Sequence, residues 1–291
     1  MGILGGSFLV VRGVAADGAT GTRVPVSGSS QSAPKASPTP TGPTPEELAE
    51  RERVKRVKAL DSALKKYAAT QPEFSVAVLD RKTGKTYAYR GDERYETASV
   101  VKVQILACLL LTAQDDDRKL TANEKALADK MIRFSDNAST TALFNLLGRA
   151  SAIGACNKRL GLTQTKVNSA WGLTRTTVKD QVQLLSELAD DKSELSEASR
   201  AYADKLMGSV APDQDWGVPA AAKTGETATV KNGWLQRSTE NNLWIINTVG
   251  RITGENVDVS IAVLSHTNPT MDGGIGVVQK VAKLTRTHLK Y

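Results

Sequence analysis

Residues 98–111 read ASVVKVQILACLLL, and this stretch decides the fold. Gln104 alone interrupts the apolar run that starts at Val103, which predicts a helix buried on every side at the centre of the protein. Ser99 would lie in the first turn of that helix, and Lys102 would share its face. Because a helix N-terminus presents free backbone N–H groups and partial positive charge, a hydroxyl, an amine and an anion-stabilising backbone would meet there. A serine nucleophile with a lysine base requires this combination.

The spacing Ser-x-x-Lys is not specific by itself, because two other segments match it. Ser32–Lys35 lies in a Ser/Pro-rich segment that cannot form a core, and Ser62–Lys65 lies on a charged helix that is expected to be exposed. Context therefore selects Ser99, which opens a buried helix.

The composition is that of a globular protein and argues against nucleic acid as a partner. The 291 residues have room for one large domain or two small ones. The net charge of +7 is spread along the chain rather than gathered in a basic stripe, which a nucleic-acid-binding protein would show. The charge fits a basic secreted protein beside an anionic cell wall.

The cysteines and histidines supply neither a metal site nor a catalytic triad. Cys108 and Cys156 lack a metal-site spacing, and two separate buried thiols are expected, with a single disulfide as the alternative. His266 and His288 stand in no motif typical of a Ser-His-Asp triad. We therefore expect no metal or other cofactor.

The first 43 residues are not typical of a folded domain, which is expected at 44–291. Ile3–Val11 is apolar but too short to span a bilayer, and it predicts an imperfect secretory signal, with a mobile tail as the alternative. Ser27–Pro45 is rich in Ser, Pro, Thr and Gly and predicts an extended linker. Together they indicate a secreted or cell-envelope bacterial protein whose linker holds the domain near a membrane or wall.

From residue 44 onward the pattern predicts an α+β domain. Thr44 begins a capped first helix that runs to about Ala69, and helical patterns fill the middle of the chain. Strands are expected at Phe74–Leu79, Thr86–Tyr89, Ala220–Thr224, Leu243–Val249 and Val257–Leu264, turns at 82–84, 231–233 and 254–256, and a last helix at about 276–289. These elements predict one antiparallel sheet built from both chain ends (about 44–98 and 209–291), flanked by helices, with an inserted helical lobe at about 99–208.

Three short motifs follow one another in the order Ser99–Lys102, Ser135–Asn137 and Lys223–Gly225. With this set the chain resembles class A β-lactamases and penicillin-binding-protein-like serine hydrolases from about Glu47 to the C-terminus. The resemblance implies a three-layer β-lactamase/transpeptidase-like fold, and the short spacings between motifs imply a trimmed helical lobe. A second Lys-Thr-Gly at 82–84 precedes the nucleophile and is interpreted as a hairpin turn. Taken alone, the second motif is more typical of a helix N-cap and the third of a turn.

The resemblance implies a role for each residue of the first two motifs. Ser99 would attack an amide carbonyl, and Lys102 would take its proton because burial and a second cation lower the lysine pKa. Ser135 would relay a proton to the departing nitrogen. Asn137 would hydrogen-bond the amide side chain of the substrate.

The third motif would hold the other end of the substrate. Lys223 and Thr224, with Gly225, would bind the substrate carboxylate. The backbone N–H groups of Ser99 and Glu226 would form the oxyanion hole. Glu226 stands where the family usually has a small residue, which would narrow the pocket.

Residues 162–172 mark the main departure from the family. The matching loop normally carries a Glu and an Asn that position the water for deacylation. Here the segment contains no carboxylate, and Gln164 and Asn168 are its amides. Trp171, Trp216 and Trp234 are expected to pack in the core rather than to contact substrate.

These features predict an exported hydrolase that forms an acyl-serine with β-lactams or related amides and releases it slowly. The alternative is a penicillin-binding or peptidoglycan-sensing module with little or no turnover. A wall-tethered structural protein that keeps only the fold is a third interpretation. The expected partner is a small β-lactam or a peptidoglycan-like peptide.

Overall fold

The computed structural model describes residues 42–291, in which strands near both ends of the domain flank a mainly helical middle. The helices are α1 (Pro45–Ala68), α2 (Val101–Asp115), α3 (Ala122–Arg133), α4 (Asn137–Leu146), α5 (Arg149–Arg159), α6 (Val178–Glu187), α7 (Glu197–Met207) and α8 (Met271–Leu289). The strands are β1 (Phe74–Asp80), β2 (Lys85–Tyr89), β3 (Tyr95–Glu96), β4 (Arg175–Thr176), β5 (Thr227–Arg237), β6 (Leu243–Gly254) and β7 (Val257–Asn268). The expected signal and nearly all of the expected linker lie outside the described residues.

The main sheet joins the two ends of the domain, as the sequence predicted. Its strands run in the order β2-β1-β7-β6-β5, and every neighbouring pair is antiparallel. Strands β3 and β4 form a separate two-stranded ribbon. The α+β class and the antiparallel sheet are therefore confirmed, and β5 lies at one edge of the sheet.

Alternate residues of the central strands enter two different cores. In β7, Val263 belongs to the core under α1 and α8, whereas Ala262 and Leu264 belong to the core shared with α2 and α6. This period of two is what a strand covered on both faces requires. The predicted capping box at the start of α1 is present, because the Glu47 backbone N–H donates to the Thr44 hydroxyl and the Thr44 N–H donates to Glu47.

Helix α2 is the buried central helix that the apolar run predicted. A short 3₁₀ turn at Ala98–Val100 leads into it, and its side chains from Val101 to Leu111 are all buried. Each such leucine or isoleucine contributes about 1.5–3 kcal/mol through burial. The segment Ala98–Asp115 is apolar enough to cross a membrane, but it is 78% buried within this fold and so serves as a core helix.

Cys108 and Cys156 form a disulfide that joins α2 to α5. The expectation of two separate thiols is therefore wrong, and the alternative holds. The two helices pack side by side, which brings the Cα atoms to 5.9 Å, within the range that a disulfide bridges.

Two other local expectations in the last third of the chain are wrong. The predicted strand Ala220–Thr224 starts instead as a 3₁₀ turn at Val218–Ala221. The predicted turn at 231–233 lies in the middle of β5, where Lys231 pairs with Val249 and Gly233 pairs with Asn247. An Asn-Gly pair normally favours a tight hairpin turn, but the continuous pairing with β6 outweighs that local preference. The turns at 82–84 and 254–256 do connect strands, as predicted.

Candidate active site

Ser99 lies in the 3₁₀ turn immediately before α2, at the boundary between the helical lobe and the sheet. The residue before it, Ala98, has a left-handed backbone with φ of 45°. A non-glycine residue in this region costs of order 1–3 kcal/mol, and such strain clusters at functional sites. The turn aims the Ser99 side chain at Lys102, whose Nζ donates to Ser99 Oγ at 2.9 Å.

The Lys102 side chain is completely buried and its amine has several acceptors. Besides Ser99 Oγ, Nζ donates to the backbone oxygen of Ser135 at 2.6 Å, to Ser135 Oγ at 3.0 Å and to Asn137 Oδ1 at 2.9 Å. Burial penalises the ammonium form and lowers the pKa of Lys102 to about 7, although the charge of Asp136 partly opposes the shift. A substantial share of Lys102 is therefore neutral at pH 7 and able to accept a proton.

Ser135, Asp136 and Asn137 form the junction between α3 and α4. Asp136 caps α4, because its carboxylate accepts from the Ser139 backbone N–H at 2.6 Å. Ser135 has a left-handed backbone with φ of 55°. Asp136 therefore caps the helix, as the helix-cap interpretation predicted, while its neighbours Ser135 and Asn137 contact Lys102.

The structure does not bring Lys223, Thr224 and Gly225 to Ser99. All three are exposed, and they precede β5. The Lys223 backbone N–H donates to the Glu226 carboxylate at 2.8 Å, and that carboxylate also pairs with Arg286 of α8.

Glu226 thus lies before the start of β5, and its backbone N–H donates to the Lys223 backbone oxygen at 3.0 Å instead of forming an oxyanion hole with Ser99. The strand from Thr227 to Lys231 alone spans about 13 Å. The predicted placement of the third motif at Lys223–Gly225, and of an oxyanion donor at Glu226, is therefore wrong, because these residues lie too far from Ser99.

Lys231 occupies the place that the sequence assigned to Lys223. Its side chain is 1% exposed, and Nζ donates to Ser135 Oγ at 3.1 Å, to the Asn232 backbone oxygen at 3.0 Å and to Gln214 Oε1 at 3.4 Å. Burial, and secondarily the charge of Lys102, hold the pKa of Lys231 well below its ordinary value. Two buried amines therefore face the same serine hydroxyl.

Gly233 brings the edge strand against the nucleophile. A Cβ built on Gly233 would lie 2.7 Å from the Ser99 backbone nitrogen and 2.8 Å from the Thr97 backbone oxygen, closer than real side chains approach. Glycine is thus required for β5 to pass beside Ser99. Asn232 is tied to the neighbouring loop instead, because its Nδ2 donates to the backbone oxygens of Gln214 at 2.7 Å and Trp216 at 2.9 Å.

The sequence around Lys231 and Gly233 does carry a signal, which the Lys-Thr-Gly motif does not include. The segment 227–237 reads TATVKNGWLQR, which has the β-branched and aromatic residues of a strand on both sides of a Lys-x-Gly. Requiring the lysine and the glycine to lie within a strand selects this segment over Lys223–Gly225.

A cleft of about 340 Å³ opens over Ser99. Its lining is mainly apolar and consists of Ala98, Ser99, Asn137, Ala170, Trp171, Gly172, Leu173, Trp234, Leu235 and Arg237. Trp171 and Trp234 therefore line the cleft as well as packing, which corrects the expectation that they only pack. Trp216 packs against Trp234 with ring centroids 6.1 Å apart and ring planes tilted by 55°.

The loop at 162–172 is fixed in place without offering a base to the cleft. Asp180 of α6 accepts from the Gln164 backbone N–H at 2.9 Å and from Thr165 Oγ1 at 2.6 Å. The Asn168 side chain accepts from the Ala170 N–H at 2.9 Å and so closes a local turn. Within the described part of the chain, the cleft lining contains no carboxylate.

The fold and the hydrogen bond from Lys102 to Ser99 are typical of the active-site-serine hydrolases of β-lactamase type. The chain belongs to the β-lactamase enzyme family, whose sequence profile matches residues 54–125 and 111–289.

Solved structures of class A β-lactamases have the same fold. An ancestral class A β-lactamase is 22% identical, with a TM-score of 0.67 over 78% of this chain and 99% of that one. The class A β-lactamase from Mycobacterium abscessus is 20% identical, with a TM-score of 0.68 over 81% of this chain and all (100%) of that one. The chromosome-encoded β-lactamase of Vibrio parahaemolyticus is 18% identical, with a TM-score of 0.68 over 79% and 99%.

A sequence relative comes from mycobacteria. A protein of Mycobacterium tuberculosis named "Putative lipoprotein LppW" is 28% identical over 187 residues, which are 59% of this chain and 60% of that protein. The same match is found in Mycobacterium bovis. The matched region thus spans less than two thirds of the relative.

Proposed function

We propose that this protein is an exported serine hydrolase that forms an acyl-serine at Ser99 with a β-lactam or a related peptide amide. The observation that carries the proposal is the 2.9 Å contact between Lys102 Nζ and Ser99 Oγ inside a buried polar cluster. A buried lysine with a pKa of about 7 is a suitable base for a serine hydroxyl.

In the acylation step, neutral Lys102 takes the proton of Ser99 as Oγ attacks the amide carbonyl carbon. The oxyanion that forms would accept from the backbone N–H of Ser99. The second donor would be a backbone N–H of the edge strand beside Gly233, for which Trp234 is the candidate. The close approach of β5 to the Ser99 amide supports this arrangement, since donors must converge on one oxygen.

Ser135 is placed to carry a proton to the departing nitrogen. Its Oγ lies 3.0 Å from Lys102 Nζ and 3.1 Å from Lys231 Nζ, so it connects the base to the leaving-group side of the site. Lys231 would attract the substrate carboxylate in the role expected of Lys223. Because the Asn137 Oδ1 is held by Lys102, its amide NH₂ is left to bind the substrate's amide side chain.

Release of the acyl group is expected to be slow. A serine ester is stable unless a group activates water beside it, and the loop at 162–172 has no carboxylate to do so. The same observation favours a second candidate function, a penicillin-binding or peptidoglycan-sensing module that acylates and turns over little or not at all.

Export to the cell envelope is supported by three independent observations. A disulfide such as Cys108–Cys156 persists in oxidising compartments and is rare in the cytosol. The mycobacterial relative is named as a lipoprotein. The net charge of +7 suits contact with an anionic wall. At such a wall, peptidoglycan-like peptides would be the natural substrates.

Labelling with a fluorescent penicillin, followed by intact mass over time, tests the proposal. Rapid gain and loss of one adduct indicates a hydrolase, and a persistent adduct indicates the binding module. Ser99→Ala should abolish the adduct. Ser62→Ala is the matched control, because Ser62 has the same Ser-x-x-Lys spacing but lies exposed on α1, and it should label normally. An adduct on Ser99→Ala would overturn the assignment.

A further inference from the structure

An indole ring lies beside the reacting groups where the loop at 162–172 passes the cleft. The ring centroid of Trp171 is 5.1 Å from Lys102 Nζ. Trp171 and Ser99 line the same cleft, whose described lining has no acidic side chain. The loop therefore presents a large apolar surface to the cleft in which an acyl group on Ser99 would lie.

The ring is held in this position by contacts on both sides of the loop. Trp171 Nε1 donates to Thr141 Oγ1 on α4 at 3.2 Å. The Trp171 backbone oxygen accepts from the Thr174 N–H at 3.1 Å, and the Thr174 oxygen accepts from the Thr97 N–H at 2.8 Å. Thr97 immediately precedes the turn that carries Ser99, so the indole and the nucleophile share one hydrogen-bonded frame.

The loop also packs directly on the nucleophile's turn. A Cβ on Gly172 would lie 4.0 Å from the Cα of Ala98, which is ordinary van der Waals contact. Gly172 and Ala98 are therefore neighbours, and the loop and the turn that carries Ser99 border the same cleft.

We propose that Trp171 is a positioning residue that keeps water away from the acyl-serine and so prolongs the life of the acylated protein. The inference rests on the proposed function and names how the same site is regulated. The loop then slows release in two ways. It lacks a carboxylate base, and it places an apolar ring beside the ester.

The step that the ring opposes is hydrolysis of the ester. The oxygen of water adds to the ester carbon while its proton passes to the neutral Lys102 Nζ. The bond between that carbon and Ser99 Oγ then breaks, and Lys102 returns the proton to Oγ. Water has to stand within hydrogen-bond reach of Lys102 for this, and the Trp171 ring centroid already lies 5.1 Å from that amine.

The indole has a second effect on the same amine. An aromatic face attracts an ammonium more than a neutral amine, so Trp171 favours the protonated form of Lys102, which cannot act as a base. Exclusion of water and stabilisation of the ammonium both slow deacylation, but they differ in their pH dependence. Removing a ring that excludes water raises the deacylation rate at every pH. Removing the cation–π contact alone shifts the midpoint of the pH profile of deacylation to lower pH.

The test compares wild type, Trp171→Ala and Trp171→Phe after acylation with a fluorescent penicillin and removal of the excess. Loss of the adduct is followed by intact mass from pH 5 to 9, with and without hydroxylamine, a small competing nucleophile. Trp171→Ala should lose the adduct about tenfold faster or more at every pH, part of the 10²–10⁴-fold that activated water can supply. Hydroxylamine should also act faster on Trp171→Ala. Trp171→Phe, which keeps an aromatic wall, should stay close to wild type.

The outcomes separate the inference from the proposed function. A wild-type protein that is not labelled overturns the proposed function and the inference with it. A labelled wild type whose Trp171→Ala variant releases at the same rate, or shows only a shifted pH midpoint, overturns the inference alone. Thermal unfolding checks that the variant folds. If it does not, Thr141→Val removes only the hydrogen bond that holds the ring, and it should also accelerate release, while release at the wild-type rate overturns the inference.

Discussion

Lys231 Nζ lies 3.1 Å from Ser135 Oγ, which places a second buried amine next to the polar cluster around Ser99. Lys223, which the motif order selected, lies exposed before the start of β5. The two lysines differ in burial, in hydrogen bonding and in position along one segment. Variants of the two lysines therefore distinguish a residue of the active site from a residue that only matches the sequence motif.

We expect Lys231→Ala to lose acylation by penicillins by about 10²-fold or more, because the proton path through Ser135 and the amine proposed to attract the substrate carboxylate are both lost. Lys223→Ala should acylate at the wild-type rate. Stopped-flow fluorescence with a labelled penicillin measures both variants, and thermal unfolding reports whether each is folded. Equal loss in the two variants would contradict the placement of the third motif on β5.

The acylation rate should depend on pH through Lys102. Its pKa of about 7 means that the neutral, proton-accepting form grows as pH rises towards 7 and dominates above it. The acylation rate should therefore rise about tenfold per pH unit below 7 and level off above it.

Lys102→Arg is the matched variant for that profile, because it keeps the charge but cannot lose its proton near neutral pH. It should acylate at least about 10²-fold more slowly than wild type and show no midpoint near pH 7. A Lys102→Arg protein that keeps the wild-type rate and profile would assign the base to another residue.

Gly233→Ala should damage the site while sparing the rest of the fold. The added Cβ would lie 2.7 Å from the Ser99 nitrogen, so β5 or the nucleophile's turn has to move. Misplacement by about 1 Å can cost about 10²-fold in rate, and acylation should fall by that order. Gly154→Ala on α5 is the control, because its Cβ meets open space, and it should acylate normally with stability unchanged or higher by about 0.5–1 kcal/mol.

The disulfide should contribute strongly to the stability of the helical lobe. Cys108 and Cys156 are 48 residues apart, and closing a loop of this length stabilises a protein by about 4 kcal/mol in the chain-entropy description. The double variant Cys108→Ala/Cys156→Ala should therefore melt about 8–16 °C lower in a thermal unfolding experiment. Reduction of the wild type should give a similar decrease, whereas it should leave the double variant unchanged. A melting temperature within about 2 °C of wild type would contradict this contribution.

The sequence predicted the sheet, the central helix and the first two motifs because these features follow from local rules. Helix caps such as Thr44 and long apolar runs such as 103–111 act within a few residues, and Ser99 and Lys102 are close along the same helix start. The order of the motifs also predicted that Lys102 would contact both Ser99 and Ser135.

The third motif and the disulfide could not be predicted in the same way. Whether Lys231–Gly233 turns or continues as a strand depends on its pairing with β6, which no local residue reports. Cys108 and Cys156 become partners only through the packing of α2 on α5. The cleft-facing position of Trp171 depends on the Thr141 hydrogen bond and on the loop path set by Asp180.

A further prediction concerns turnover, because acylation should be faster than deacylation. Loss of a general base lowers a rate by about 10²–10⁴-fold, which adds about 3–5 kcal/mol to the deacylation barrier. Stopped-flow traces with penicillins should show a burst near one equivalent followed by slow turnover. Rapid turnover without a burst would mean that a residue outside 162–172 activates the water.

A carboxylate returned to the loop should accelerate the slow step. Ala170 lines the cleft next to Trp171 and its side chain is exposed, so Ala170→Glu places a carboxylate at the cleft without disturbing the core. We expect Ala170→Glu to raise the slow phase about tenfold or more and leave the burst amplitude near one equivalent. Ala170→Gln is the matched control, because it has the same shape but no basic carboxylate, and its slow phase should stay at the wild-type rate. An equal gain in both variants would show that loop geometry, rather than a missing base, limits deacylation.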